Sequence, residues 1–375
     1  MIIKTPVCAI IPVFNRIQYT LTCIICLKSQ IHPLEEIIVV DGGSTDGTPD
    51  ILRDRHPDVT VLAPGTNLYW GEASAVGIQH VLKKYKNGKI LLVNNDTAFS
   101  DDLVGRLIKT SYAAGNAGVT PVIIDSDDPG TIIDSGVNID WSRYHFKAIM
   151  PEQAHSRDYA DVDMLPARAT LIPIEAIQEG GSIDAARWPH YLSDFEFTYR
   201  LKTRAKLRLV VDYGTAVATR IDEPQKGKFW LGYWHRMFSW RSKSNVVDHI
   251  RFIKCHAPQN FRNRLILRII LHSVFNLNYF LNYFFRRKNF LKQKIIRLFS
   301  PYYVREIDIA NANLSTESLL INGIIEKKSL SPVFYNFSSS KKEIELSMPS
   351  AIPLYRKSTS FKHKVLVKYW IQKNS

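Results

Sequence analysis

The sequence predicts an α/β fold over residues 1–225, a mostly parallel sheet flanked by helices, followed by a basic and largely helical extension. Three observations carry this. Four apolar runs of strand length each precede a stretch whose apolar residues recur every three to four positions. The connections between them are short, and alternating strand and helix joined this way gives a parallel sheet with helices on both faces. Finally, the charge balance breaks near residue 225: residues 1–225 carry 22 Lys+Arg against 28 Asp+Glu, residues 226–300 carry 16 against one, and residues 301–375 carry 11 against six.

In order, VCAIIPV (7–13) is continuously apolar, as a strand buried on both faces must be, and IQYTLTCIICLKS (17–29) has helical periodicity. The pairing recurs as EIIVVD with TPDILRDR, VTVLAP with EASAVGIQHVLKKY, and KILLVNND with DDLVGRLIKTSYAA. Ligands of such sheets bind beyond the carboxyl ends of the strands. The polar clusters Asn15, Asp41 to Asp46 and Asn94 to Thr97 fall at those ends. Further on, PHYLSDFEFTYR opens another helix, with Phe195, Thr198 and Tyr199 on one face and Asp194, Phe197 and Leu201 on another. Asp194 sits near the positive N-terminus, where a carboxylate is stabilised. Glu196 has Arg200 at i,i+4, the spacing of a solvated helix-face ion pair.

In VVDGGSTDGT, Asp41 ends a strand and Gly42-Gly43 free the backbone, with Ser44 and Asp46 ahead of a helix. A strand-tip carboxylate can accept from a ribose hydroxyl or base N–H, and glycines let a ligand approach. Turn chemistry with a helix cap explains the same residues. No G-x-G-x-x-G follows the first strand, which argues against a dinucleotide site. The four cysteines are too few and too uneven for a disulfide framework, and Cys23-Ile-Ile-Cys26 lies within a helical pattern, so these read as buried apolar residues. The N-terminal stretch reads as a first strand rather than a leader, and no apolar span in 1–225 is long enough to cross a membrane.

Taken together, CAIIPVFNR, IIVVDGGSTDGT, LLVNNDTAFSDDLV and PHYLSDFEFTYRLK resemble the successive motifs of the family-two inverting glycosyltransferases with the GT-A fold, a Rossmann-like sheet flanked by helices. The resemblance runs from about residue 5 to 225 and is greatest to the rhamnosyltransferase-like branch. It implies a nucleotide pocket lined by Pro12, Phe14, Asn15, Asp41, Gly42, Ser44 and Asp46. Asn67, Trp70 and Gly71 stand where the family has a Gly-rich loop beside the donor, and Asn94 and Asn95 open its metal triplet. That triplet usually reads Asp-x-Asp, and here only Asp96 keeps a charge. One carboxylate suffices for Mg²⁺ or Mn²⁺ when phosphates and water fill the other positions. Capping of the next helix, near Asp101, is the alternative for Asp96. Asp194 matches the family's general base, with Ser193 and Glu196 in place of the neighbouring acids. Thr170, in ARATLIP, and Glu196 fall on the acceptor side, and Ala169 stands where glycine is common. A retained fold that binds nucleotide sugars without turnover is the alternative function.

Beyond Pro224, aromatic and basic residues interleave, and no nucleic-acid motif accompanies them. Two readings fit: amphipathic helices on an anionic membrane surface, or a basic helical subdomain packed on the catalytic domain. A membrane span over 265–285 is opposed by Arg268, His272 and three asparagines. His235 is a candidate metal or phosphate contact, and Trp141 a core residue. The expected protein is a cytoplasmic or peripherally membrane-bound transferase with a divalent metal. It takes a nucleotide-diphosphate sugar, with rhamnose a candidate, and a saccharide or lipid-linked saccharide acceptor. Residues 301–375 have no assigned role.

Overall fold

In a computed structural model of the chain, the described residues are 5–65, 67–149, 158–219, 237–239, 242 and 244–275. The first strand–helix units are β1 (Val7–Val13) with α1 (Ile17–Lys28), β2 (Glu36–Asp41) with α2 (Thr48–Arg55), and β3 (Thr60–Leu62) with α3 (Trp70–Lys84). Then come β4 (Lys89–Leu92), β5 (Thr97–Ala98), α4 (Leu103–Ala113), β6 (Gly118–Asp125), β7 (Ile132–Asp134), and the hairpin β8 (Val137–Asp140) and β9 (His145–Ala148). The remainder is β10 (Tyr159–Asp161), β11 (Thr170–Pro173), α5 (Ile174–Gly180), α6 (Ser193–Arg204), β12 (Leu209–Thr219), α7 (Val246–His256) and α8 (Gln259–Phe275).

The large sheet has the order β10-β12-β6-β11-β4-β1-β2-β3. Strands β3, β2, β1 and β4 are parallel, as the strand–helix alternation requires, whereas β11 runs antiparallel between β4 and β6. Along β1 the side chains alternate between two cores. Val7, Ala9, Ile11 and Val13 meet α1 and α4 through Cys23, Leu27 and Leu107, and Cys8 and Ile10 meet α3 and α6 through Ile78, Val81, Phe197 and Leu201. Both faces are covered, which is why the strand is apolar at every position. Cys23 and Cys26 are buried within α1, and burial pushes the Cys26 thiol up to about 11.

Register brings the strand tips together: Val13 pairs with Asp41, and Ile10 with both Ile38 and Leu92. Two of the boundaries that differ from the sequence expectation lie at the strand tips. The fourth strand stops at Leu92 instead of running on to Asp96, so Asn94 to Asp96 form a turn into the short β5. Helix α3 begins at Trp70 rather than at Glu72.

The described part of the basic third packs on the rest. Phe252, Ile253, Leu265 and Ile269 of α7 and α8 form one core with Val137, Tyr144 and Phe146 of the hairpin region, bordered by Trp141, Phe195 and Tyr199. Phe252 stacks on Trp141 with ring centroids 5.8 Å apart. Helix α7 is capped by Asn245, whose side chain accepts from the amides of Val247 and Asp248. Among the described residues no helix is long and apolar enough to cross a membrane. His235, residues 276–300 and residues 301–375 lie outside the described residues.

Candidate active site at the strand tips

Asn15 and Arg16, between β1 and α1, are both left-handed, with φ 57° and 63°. Asparagine tolerates this conformation, but a left-handed arginine costs about 1–2 kcal/mol, so neighbours must hold the turn. The β2–α2 loop does this. Ser44 Oγ accepts from the Asn15 amide at 2.6 Å, Asn15 Oδ1 accepts from the Thr45 amide at 2.9 Å, and Asp46 Oδ2 accepts from the Ile17 amide at 3.1 Å. Asp46 Oδ1 takes the Thr48 amide and hydroxyl. Burial raises the Asp46 carboxyl, but these bonds outweigh it and hold it below the usual range. Asn15, Ser44 and Asp46, expected to line a nucleotide pocket, therefore place their polar atoms chiefly in loop-to-loop bonds. Pro12 is buried within β1 and is a core residue. Phe14, by contrast, is 53% exposed at the tip.

Asp41 binds the amides of Gly43 and Ser44 through Oδ2 and leaves Oδ1 sealed from solvent without a partner. A Cβ at Gly42 would stand 2.6 Å from the Leu68 carbonyl, and one at Gly71 would stand 2.7 Å from that of Trp188. These glycines thus admit a crossing of the protein's own backbone, where the sequence suggested a ligand's approach. Residues 67–71 are the crossing segment. The Leu68 amide donates to the Gly42 carbonyl, Trp70 Nε1 to Asn94 Oδ1 at 2.9 Å, and the Gly71 amide to the Pro189 carbonyl at 2.9 Å. One segment therefore ties the Asp41 loop, the Asn94–Asp96 turn and the loop before α6 into one surface. Asn67 (φ 64°) is exposed at its start.

In the Asn94–Asp96 turn, Asn95 donates to Thr20 Oγ1 of α1 at 3.2 Å. Asp96 lies 3.6 Å from Arg16 Nη1 through Oδ2, and its Oδ1 is buried with no hydrogen-bond partner. It does not cap α4, whose N-cap position is Asp102. A buried unpartnered carboxylate oxygen is costly, and it suits a cation that arrives with its own oxygen ligands. Among the described residues no three metal-type side chains converge. That fits a hard cation completed by phosphate oxygens and water and does not fit a resident structural zinc.

Asp194 lies in the first turn of α6, after Leu192 at φ 63°. Its carboxylate accepts from the Phe195 amide at 2.9 Å and the Ala167 amide at 3.4 Å. Burial pushes the Asp194 carboxyl up, and those bonds and the nearby Arg168 guanidinium only partly offset it. Arg168 was missed in the sequence, where nothing in ARATLIP distinguishes it from a surface cation. The next residue, Ala169, is fully buried at φ 140°, a region that favours glycine. Local backbone strain thus adjoins the carboxylate.

Thr170 and Glu196, expected on the acceptor side, are both buried. Thr170 is buried in β11, its hydroxyl donating to the Pro166 carbonyl and lying within hydrogen-bond distance of Thr120 Oγ1. Glu196 is 2% exposed, and its oxygens take Arg200 at 2.9 and 3.2 Å and His256 Nε2 at 3.2 Å. Burial raises the Glu196 carboxyl, but His256 and Arg200 outweigh it and lower it. The i,i+4 pair foreseen from sequence is present, yet it lies in the interior because α7 covers it.

A mixed, mostly parallel sheet flanked by helices, with its polar site across the strand tips, defines a GT-A-like fold. Residues 8–167 match the family described as Glycosyl transferase family 2. Among solved structures the chain is similar to one described as GalNAc-T7 with UDP, GalNAc and Mn2+, at 15% identity and TM-score 0.48, covering 70% of this chain and 54% of that one. It is also similar to the mannosyltransferase PcManGT from Pyrobaculum calidifontis in complex with GDP-Man and Mn2+, at 16% identity and TM-score 0.45, covering 72% of this chain and 70% of that one. The chain therefore spans about half the length of the first of these. No curated protein matches the sequence.

Proposed function

We propose that the protein is an inverting glycosyltransferase that moves a sugar from a nucleotide-diphosphate donor to a saccharide hydroxyl. The observation that carries this is the sealed, unpartnered Oδ1 of Asp96 on the same strand-tip surface as the half-buried Asp194. Asp194 takes the proton of the acceptor hydroxyl, whose oxygen bonds to the anomeric carbon as the bond to the donor's diphosphate breaks with its electron pair. A carboxyl raised by burial suits this, because a stronger base accepts a proton more readily. Asp96 is the residue that would hold Mg²⁺ or Mn²⁺, which neutralises charge on the departing diphosphate. Phe14, Asn67 and Trp70 supply the outer wall of the donor site, with Asp41, Asn94 and Asn95 beneath it.

The test is sugar transfer and sugar release from a panel of nucleotide sugars, with and without Mn²⁺. Metal-stimulated turnover with at least one donor is expected. Tight nucleotide binding with no turnover on any donor and acceptor would replace this reading by a non-catalytic nucleotide-sugar-binding protein. Rhamnose heads the donor panel because the motifs resemble the rhamnosyltransferase-like branch.

A lipid-linked acceptor met at an anionic membrane surface belongs to the same proposal. It is supported by the excess of basic residues in 226–300 and by exposed Leu267, Ile270 and Leu271 along α8. Replacing those three by Ser should release the full chain from anionic vesicles. Undiminished sedimentation ends the membrane part and leaves the transferase reading intact.

A further inference from the structure

The turn before α1 holds two consecutive left-handed residues, Asn15 and Arg16, and three bonds from the β2–α2 loop keep them so. What this conformation achieves is the placement of Arg16. Its guanidinium reaches across the strand tips to Asp96 Oδ2 at 3.6 Å, while the other oxygen of that carboxylate has no partner. The Arg16 carbonyl accepts from the amides of Tyr19 and Thr20, fixing the backbone to α1. The side chain is still 47% exposed.

We propose that Arg16 is an exchangeable counter-ion: it holds Asp96 while no divalent cation is bound, and it contacts the donor's diphosphate once the cation has taken the carboxylate. The inference rests on reading Asp96 as the metal ligand. Three points support an exchange rather than a permanent bridge. At 3.6 Å, with the Arg16 side chain 47% exposed, the pair is weak, so a divalent ion displaces it at little cost. The ion pair engages only one of two carboxylate oxygens, and the other has no hydrogen-bond partner to give up to an incoming cation. A planar guanidinium with five donors also matches diphosphate oxygens far better than it matches one distant carboxylate oxygen. With only one acid in the Asn94–Asn95–Asp96 turn, an added cationic contact supplies diphosphate recognition that a second carboxylate and its metal geometry would otherwise assist.

The experiment uses the full chain and two variants, Arg16→Asn and Arg16→Lys. Asn tolerates the left-handed backbone, so R16N removes the charge without new strain, and an unchanged melting temperature checks the fold. Affinities are measured by calorimetry for Mn²⁺ alone and for a nucleoside diphosphate in saturating Mn²⁺. R16N is expected to bind Mn²⁺ alone about two- to fivefold more tightly, since the competing cation is gone. It should bind the nucleoside diphosphate roughly tenfold or more weakly, since a charge-assisted contact is lost. R16K should lie between R16N and the wild type in both.

The opposite signs are the signature. Weaker Mn²⁺ binding by R16N, or an unaltered nucleoside diphosphate affinity, overturns the exchange while the transferase reading stands. A wild-type protein that binds neither Mn²⁺ nor nucleoside diphosphate overturns both. An R16N protein with a lowered melting temperature and parallel losses in both affinities assigns Arg16 to the loop's structure alone.

Discussion

Asp194→Asn should lower the rate of transfer by about 10²–10⁴-fold, the range that a positioned general base contributes, with donor affinity within about twofold of wild type. Asn keeps the shape and can still face the amides of Phe195 and Ala167, so the lost quantity is proton acceptance. The pH profile gives a second check. Burial raises the Asp194 carboxyl, and a base must be ionised to act. Transfer by the wild type should therefore fall with decreasing pH through a midpoint above the ordinary aspartate range, and that limb should be missing from the residual activity of D194N. A large loss of donor affinity in D194N would reassign Asp194 to donor binding.

Arg200→Met should cost about 3–5 kcal/mol of stability, read from denaturant midpoints at constant slope. The Arg200 guanidinium serves Glu196 and the carbonyls of Gly180, Gly181 and Ser182, all in or beside the interior where α5, α6 and α7 meet. Its removal leaves a buried carboxylate with His256 as its remaining side-chain partner among the described residues. Replacing Glu196 as well, in the double variant R200M/E196M, should recover a large part of the loss because no uncompensated charge remains. Glu196 is held below its ordinary range. Its favourable contribution is thus present above that range and is lost as pH falls through the depressed value. The gap between wild type and R200M should narrow in acid. A gap that is below about 1 kcal/mol at neutral pH, or that widens in acid, contradicts this assignment.

The Glu196 pair shows how sequence and structure divide the information. Its spacing is written in the sequence, because residues four apart share a helix face wherever the helix lies. Whether that face meets water depends on α7, about fifty residues later, which brings His256 over it. The sequence placed the pair in solvent for lack of that contact. Thr170 repeats the lesson: a hydroxyl in a short apolar stretch can face an acceptor or a neighbouring strand, and only the pairing of β11 with β4 and β6 decides.

Glycine carries a related ambiguity. Gly42 and Gly71 are legible as places where something approaches the backbone, but the approaching group is a carbonyl of the protein itself. Phe14 and Asp41 lie at the ends of β1 and β2, whereas Asn67 and Asp96 lie in the connections that follow β3 and β4. Arg16 and Arg168 were not singled out, since an isolated arginine gives no periodic or motif signal until the fold brings a carboxylate beside it.

By itself, then, the sequence determined the parallel strand–helix units and the first turn of α6 as the place of Asp194. These follow from local periodicity. The tertiary structure alone decided the antiparallel insertion of β11, the docking of α7 and α8 on the hairpin, and which polar atoms remain without partners. Those depend on contacts between residues distant in the chain, where burial and hydrogen-bond satisfaction are properties of the assembled surfaces rather than of any segment.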